Sequence, residues 1–164
     1  MIKVIGIDPG LAGTGVGLVQ GDGQKVSAYS FGSINTDKKD SLYLRLNLIY
    51  TQTLDFICQQ SPDVVVLEDI FSLKKYPNSG IELGKVTGVL LLAAYKSGAS
   101  VHEISVKEAK KLITGTGSAD KYQVEKSVRH FLNHPQEIRP FHASDALALA
   151  IAGFFRCGSK GFIK

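Results

Sequence analysis

Asp8, Glu68 and Asp145 stand out by position: each sits where an apolar run begins or ends. Asp8 closes Val4-Ile5-Gly6-Ile7, Glu68 closes the β-branched run Val64 to Leu67, and Asp145 opens ALALAIA. His142 lies three residues before Asp145, so on a helix both project from one face. If the runs ending in Asp8 and Glu68 are neighbouring strands, their carboxylates lie side by side at one end of a sheet. The helix could then bring Asp145 and His142 over them. Three clustered carboxylates repel unless protonated or neutralised by cations. An oxygen-rich set of this kind suits Mg2+ or Mn2+, and an added imidazole is compatible with the latter. Two such ions about 3.5–4 Å apart would serve phosphodiester hydrolysis. Plain alternatives stand beside this one. Asp8 could cap an ordinary turn, Glu68-Asp69 could be a solvated strand end, and Asp145 could simply favour the first turn of its helix. His142 could be a helix cap or a core histidine.

Basic and aromatic residues gather near these acids. Phe71, Lys74, Lys75 and Tyr76 follow Glu68 and combine flat rings with positive charge, which suits an unpaired base and its phosphates. Lys107, Lys110, Lys111 and Lys121 flank the Thr114–Ser118 loop, whose backbone amides could also meet phosphates. For any single lysine, a solvated helix face is the simpler account.

The elements that must hold these residues follow from periodicity. Val4, Ile5 and Ile7 predict a buried strand, Pro9-Gly10 and the glycines after it a tight reversal, and Val16, Leu18 and Val19 a return strand. Lys25 to Ile34 completes a meander. Leu42, Leu46, Ile49, Leu54 and Ile57 recur at helical spacing, carrying a helix from near Asp40 or Ser41 to Gln60, and Pro62 ends it. Asp63 to Leu67 predicts a buried strand, and Phe71 to Gly80 an exposed loop. A long helix follows over Ser79–Ser97, then a short strand over Ser100–Ile104. On that long helix Gly84 and Gly88 would let another helix approach, from a second molecule or from the same chain. Ser105 to Ile113 and Asp120 to Leu132 predict further helices, and the last begins near Phe141 and runs to Arg156. The order β-β-β-α-β-α-β-α-α-α implies a mixed α/β sheet with helices packed on it.

At 164 residues and 44% hydrophobic, the chain is expected to fold as one domain over residues 1–157, with 158–164 as a short basic tail. The net charge of +4 favours an anionic partner without naming one. Cys58 and Cys157 lack metal-ligand spacing and read as free thiols in a reducing cytoplasm. The apolar run Val86–Tyr95 is broken by Gly88, so no membrane span is expected.

The segments GIDPGLAGTGVG, VVVLEDIF, ELGKVTGVLLLAA, GTGSADKYQV and HASDALALAIA occur in the order and spacing of RuvC-type Holliday junction resolvases, which the chain resembles from Ile2 to about Arg156. The resemblance implies an RNase H-like fold with a five-stranded mixed sheet flanked by helices. It also implies a homodimer that makes paired, symmetric nicks in a four-way DNA junction. It carries the family's acidic catalytic residues onto Asp8, Glu68 and Asp145, with His142 at a fourth position where many relatives have Asp. Mg2+ is the implied cofactor, two ions per site, with Mn2+ able to substitute. Phe71 matches an aromatic residue that contacts unstacked bases, and Lys110 and Lys121 match basic residues implicated in DNA contact or catalysis. The helix over Ser79–Ser97 falls where the family dimerises, and a branch-migration motor is the expected partner. Two rival classes share parts of this pattern. Actin-like ATPases and sugar kinases use a similar Asp-turn but need two such domains. A non-catalytic DNA-binding module would keep the fold and lose the chemistry.

Overall fold

The computed structural model describes residues 1–69 and 77–158. Three strands open the chain: β1 (Ile2–Asp8), β2 (Gly13–Gly21) and β3 (Val26–Asn35). Helix α1 (Leu42–Gln60) and strand β4 (Val64–Asp69) follow, then α2 (Pro77–Lys96) and β5 (Ser100–Ser105). Three helices end it: α3 (Val106–Thr114), α4 (Lys121–Phe131) and α5 (Phe141–Gly158). The element order is the expected one. Helix α2 begins two residues earlier than periodicity predicts, and α5 runs two residues past Arg156.

The five strands form one sheet in the order β3-β2-β1-β4-β5. β1 pairs antiparallel with β2 and parallel with β4, with Ile7 opposite Leu67. The central strands are buried on both faces, as their unbroken Val and Ile runs require. On one face α1 and α2 cover Ile5, Ile7, Val65 and Leu67. On the other, α3, α4 and α5 cover Val4, Val64 and Val66.

Helix α5 is the buried member of that second layer: twelve of its residues, including Leu147, Ile151 and Phe154, are shielded from solvent. It rests directly on the backbone of β1 and β2. A Cβ added to Gly6 would fall on the carbonyl oxygen of Ala146, and one added to Gly15 on that of His142. The glycines of the first stretch were expected to serve a tight reversal. Gly10 does so, packed against Gly13 within the turn between β1 and β2, whereas Gly15 and Gly17, with Gly6 before the turn, form the floor on which α5 lies.

Local signals set the neighbouring helices. The Ser105 side chain accepts from the Glu108 amide at the start of α3, and Asp120 with Gln123 forms a complete capping box for α4. Ser41 begins α1 without a side-chain cap, and left-handed Ser61 ends it one residue before Pro62. Among the described residues, Gly84 and Gly88 have no neighbour within 4 Å of an added Cβ, so packing against those residues does not explain them.

Candidate active site

Parallel pairing of β1 with β4 puts Asp8 and Glu68 next to each other at the carboxyl ends of the two central strands. The first turn of α5, set down on Gly15, carries His142 and Asp145 over the same strand ends. His142 Nδ1 lies 2.6 Å from Asp8 Oδ2, and the Asp8 side chain is nine-tenths buried while the imidazole is half exposed. Thr14, itself buried, donates through Oγ1 to the Gly10 carbonyl at 2.8 Å, closing the turn that follows Asp8.

The electrostatics are those of crowded acids. Burial, a hydrogen bond to Asp8 and the charges of Asp8 and Asp145 push the Glu68 carboxyl from 4.5 up to about 8. Burial and the Asp8 charge push Asp145 from 3.8 up to about 6. The Lys110 ammonium pulls both back towards ionisation. The hydrogen bond to Asp8 is the largest cause raising His142 above its ordinary value. Glu68 thus keeps a proton at neutral pH that solvent would remove from a free glutamate.

Lys110 lines a cleft of about 220 Å³ together with Glu68, Asp145 and apolar walls from Val106, Ala109, Val124, Ala148 and Leu149. Its Nζ donates to the Ala119 carbonyl at 2.8 Å, tying α3 to the loop before α4. Lys121 stands at the rim, its ammonium 4.9 Å from the centre of the Phe141 ring. Of the sequence-predicted site residues, Asp8, Glu68, His142, Asp145 and Lys110 therefore converge, with Lys121 at the edge. Phe71, Lys74, Lys75 and Tyr76 lie outside the described residues.

The donor set is hard and oxygen-rich, and burial beside Asp8 raises the proton affinity of Glu68 and Asp145 despite Lys110, so its chemistry fits a divalent cation such as Mg2+. Among the described residues, no three acidic, His or Cys side chains are arranged to hold a metal ion as they stand. Asp8 is hydrogen-bonded to His142 and to Glu68, and a carboxylate that accepts such a bond keeps lone pairs with which to meet a cation.

Sequence reasoning passed over Arg139, Phe141 and Tyr122. The Arg139 guanidinium stacks 4.0 Å from the Phe141 ring centre, and Tyr122 meets the same ring edge-on, one residue from His142. The signal was a cation and an aromatic flanking Pro140 just before the helix. It was invisible until α4 was known to pack there.

A family model described as crossover junction endodeoxyribonuclease RuvC matches residues 4–153. A crossover junction endodeoxyribonuclease RuvC from Thermosipho melanesiensis is 40% identical over 149 residues, covering 91% of this chain and 94% of its own. The protein of that name from Prosthecochloris aestuarii is 35% identical over 158 residues, covering 96% of this chain and 83% of its own. Among solved structures, T. thermophilus RuvC in complex with Holliday junction substrate superposes with a TM-score of 0.88 at 27% identity, covering 98% of each chain. The sheet order and flanking helices are those of this RNase H-like fold. The chain belongs to the RuvC family of crossover junction endodeoxyribonucleases.

Proposed function

We propose that this chain is a metal-dependent endodeoxyribonuclease that resolves four-way DNA junctions by symmetric nicks in two strands of like polarity. One observation carries the reading: Asp8, Glu68 and Asp145 meet at the ends of two parallel strands and the start of α5, close enough that Asp8 raises the proton affinity of both Glu68 and Asp145. The Holliday junction in the complex of the T. thermophilus relative supplies the substrate class.

Asp8, Glu68 and Asp145 would hold Mg2+, two ions per site with Mn2+ as a substitute, and His142 stands at the fourth position. Such cations, when bound, stabilise charge developing on the phosphate and favour hydroxide over water. The chain's own groups do the rest. Hydrolysis to a 5′-phosphate and a 3′-hydroxyl breaks the P–O3′ bond, and the departing 3′ oxygen needs a proton. His142, with Nδ1 engaged by Asp8 and its proton affinity raised, can supply that proton from Nε2. Lys110 places a fixed positive charge beside Glu68 and Asp145, which eases their ionisation and draws the phosphate in. Lys121, and Phe71, Lys74, Lys75 and Tyr76 outside the described residues, would grip the strand around the cut.

A homodimer would space two such sites. Helix α2 supports this: Ile81, Gly84, Gly88, Leu92 and Tyr95 fall on one stripe, and Ile81, Leu92 and Tyr95 are 59%, 46% and 78% exposed. A branch-migration motor is the further partner, and a cytoplasmic setting fits DNA as substrate. No helix among the described residues is long and apolar enough to cross a membrane.

The test is an immobile four-way junction, labelled on each strand in turn, incubated with the protein in Mg2+ or EDTA beside linear duplex of the same sequence. Paired nicks in opposing strands that need Mg2+ and spare the duplex are expected. Tight junction binding without cuts, repeated on a mobile junction that samples many sequences, would reduce the protein to a binding module.

A further inference from the structure

We infer that the outward face of α4 is a second contact for the sugar–phosphate backbone, a track that receives the duplex arm leaving the active site. The inference rests on the proposed function, since it assigns to the same junction substrate a subsite outside the catalytic rim.

Helix α4 buries Val124, Glu125 and Val128, which leaves Tyr122, Lys126 and His130 in an exposed row four residues apart on the opposite side. Arg129 flanks the row. The helix's only acid, Glu125, is buried and turned inward, where Oε1 accepts from Arg129 Nε and from the Ile138 amide, each at 3.0 Å; Arg129 is thereby paired, and Lys126 is the cation that the row presents. The N-cap Asp120 is spent on the Tyr122 and Gln123 amides. The outward face therefore shows cations and hydrogen-bond donors without a free carboxylate of its own. At its far end Lys126, Arg129, His130, Asn133 and His134 line a cleft of about 370 Å³, a polar and basic recess.

Two observations tie this face to the site and to DNA. It begins at the catalytic rim, where Tyr122 packs on Phe141 beside His142 and where Lys121 and Arg139 lie against the same ring. It then runs alongside α5, reaching Phe155 through Phe131 at its far end. The row from Tyr122 to His130 spans roughly 12 Å at 1.5 Å per residue. A duplex strand carries one phosphate per about 3.4 Å of axis, so the row matches three to four consecutive phosphates. The face also belongs to the helical layer opposite α1 and α2, so a dimer formed through α2 leaves it open.

Charge reversal on the row tests the inference. Lys126→Glu and, as a control of equal charge change at the exposed end of α2 in the opposite helical layer, Lys96→Glu would be titrated against a four-way junction in EDTA, alongside the unaltered protein. Binding would be followed across KCl concentration. Lys126→Glu should weaken junction binding about tenfold and flatten the log K against log [salt] slope by about one, with the melting temperature unchanged and Lys96→Glu much less affected. Methylphosphonate replacements walked along the first eight phosphates beyond the cut site should weaken the unaltered protein at one or two positions, and Lys126→Glu should ignore those same positions. Equal losses for the two variants, or an interference pattern unchanged by Lys126→Glu, would overturn the track while leaving the nuclease intact. An unaltered protein that neither binds nor cuts junctions would overturn the proposed function, and the track with it.

Discussion

At the scale of single residues, the site is a cluster of acids in which burial and the Asp8 charge raise the proton affinity of Glu68 and Asp145 more than Lys110 lowers it. Asp8 is the acid in contact with both partners, accepting from His142 and paired with Glu68. Asp8→Asn keeps the shape and the hydrogen-bonding capacity but removes the charge. It should lower junction cleavage by about a thousandfold or more, with folding and junction binding retained, as read by strand nicking beside a binding titration. The raised proton affinities also fix a sign for stability. Glu68 in the folded protein holds its proton to about pH 8, whereas the unfolded chain releases it near 4.5, and Asp145 behaves likewise up to about 6. Folded protein therefore binds more protons than unfolded protein between these values, and stability falls as pH rises. His142, raised by its Asp8 bond, adds in the same direction above its ordinary 6.5. In EDTA the melting temperature should drop between pH 5 and pH 8.5. Glu68→Gln should flatten that drop, and added Mg2+ should oppose it. A melting temperature that climbs over that range in EDTA would contradict the acid cluster. The acids were legible in sequence because each closes or opens an apolar run. The proton that Glu68 keeps was not, because it depends on how deeply and how near Asp8 the side chain lies.

At the scale of elements, the decisive contact is backbone on backbone. Helix α5 sits on Gly6 and Gly15 so closely that a methyl group at either would strike a main-chain carbonyl of the helix. Main chain cannot swing aside as a side-chain tip can, so the whole helix would have to lift. Gly15→Ala should therefore lower stability by about 3 kcal/mol, in the range of severe core disruption. At temperatures where the variant stays folded, it should cut cleavage more than it weakens junction binding, because His142 and Asp145 move away from Asp8. Thermal melting and single-turnover cleavage check both halves. Strand and helix order followed from the sequence because periodicities of two and of 3.6 residues, Pro62 and the Asp120–Gln123 box are local signals. The use of Gly15 was not local. One chain segment cannot reveal that another, more than a hundred residues later, will press against it.

At the scale of the molecule, two helical layers divide the labour. The α3–α4–α5 layer holds the site and the basic face of α4, while the α1–α2 layer ends in an apolar stripe with Gly84 and Gly88 open to an approaching partner. Ile81→Glu with Leu92→Glu should turn a dimer into a monomer by sedimentation, and should convert paired cuts in one junction into single, uncoupled nicks. Those glycines suit packing within the chain or an approaching second helix, and among the described residues no atom comes near enough for the first. The sheet order has a consequence in time. The three acids stand at positions 8, 68 and 145, and the last is carried by the final helix. During synthesis Asp145 emerges after every strand of the sheet and after the other two acids, so a nascent chain that stops before α5 lacks the third of them. On the proposed function, a message truncated before α5 should yield a product that leaves DNA uncut, and cutting should begin only once the helix that carries Asp145 has been made.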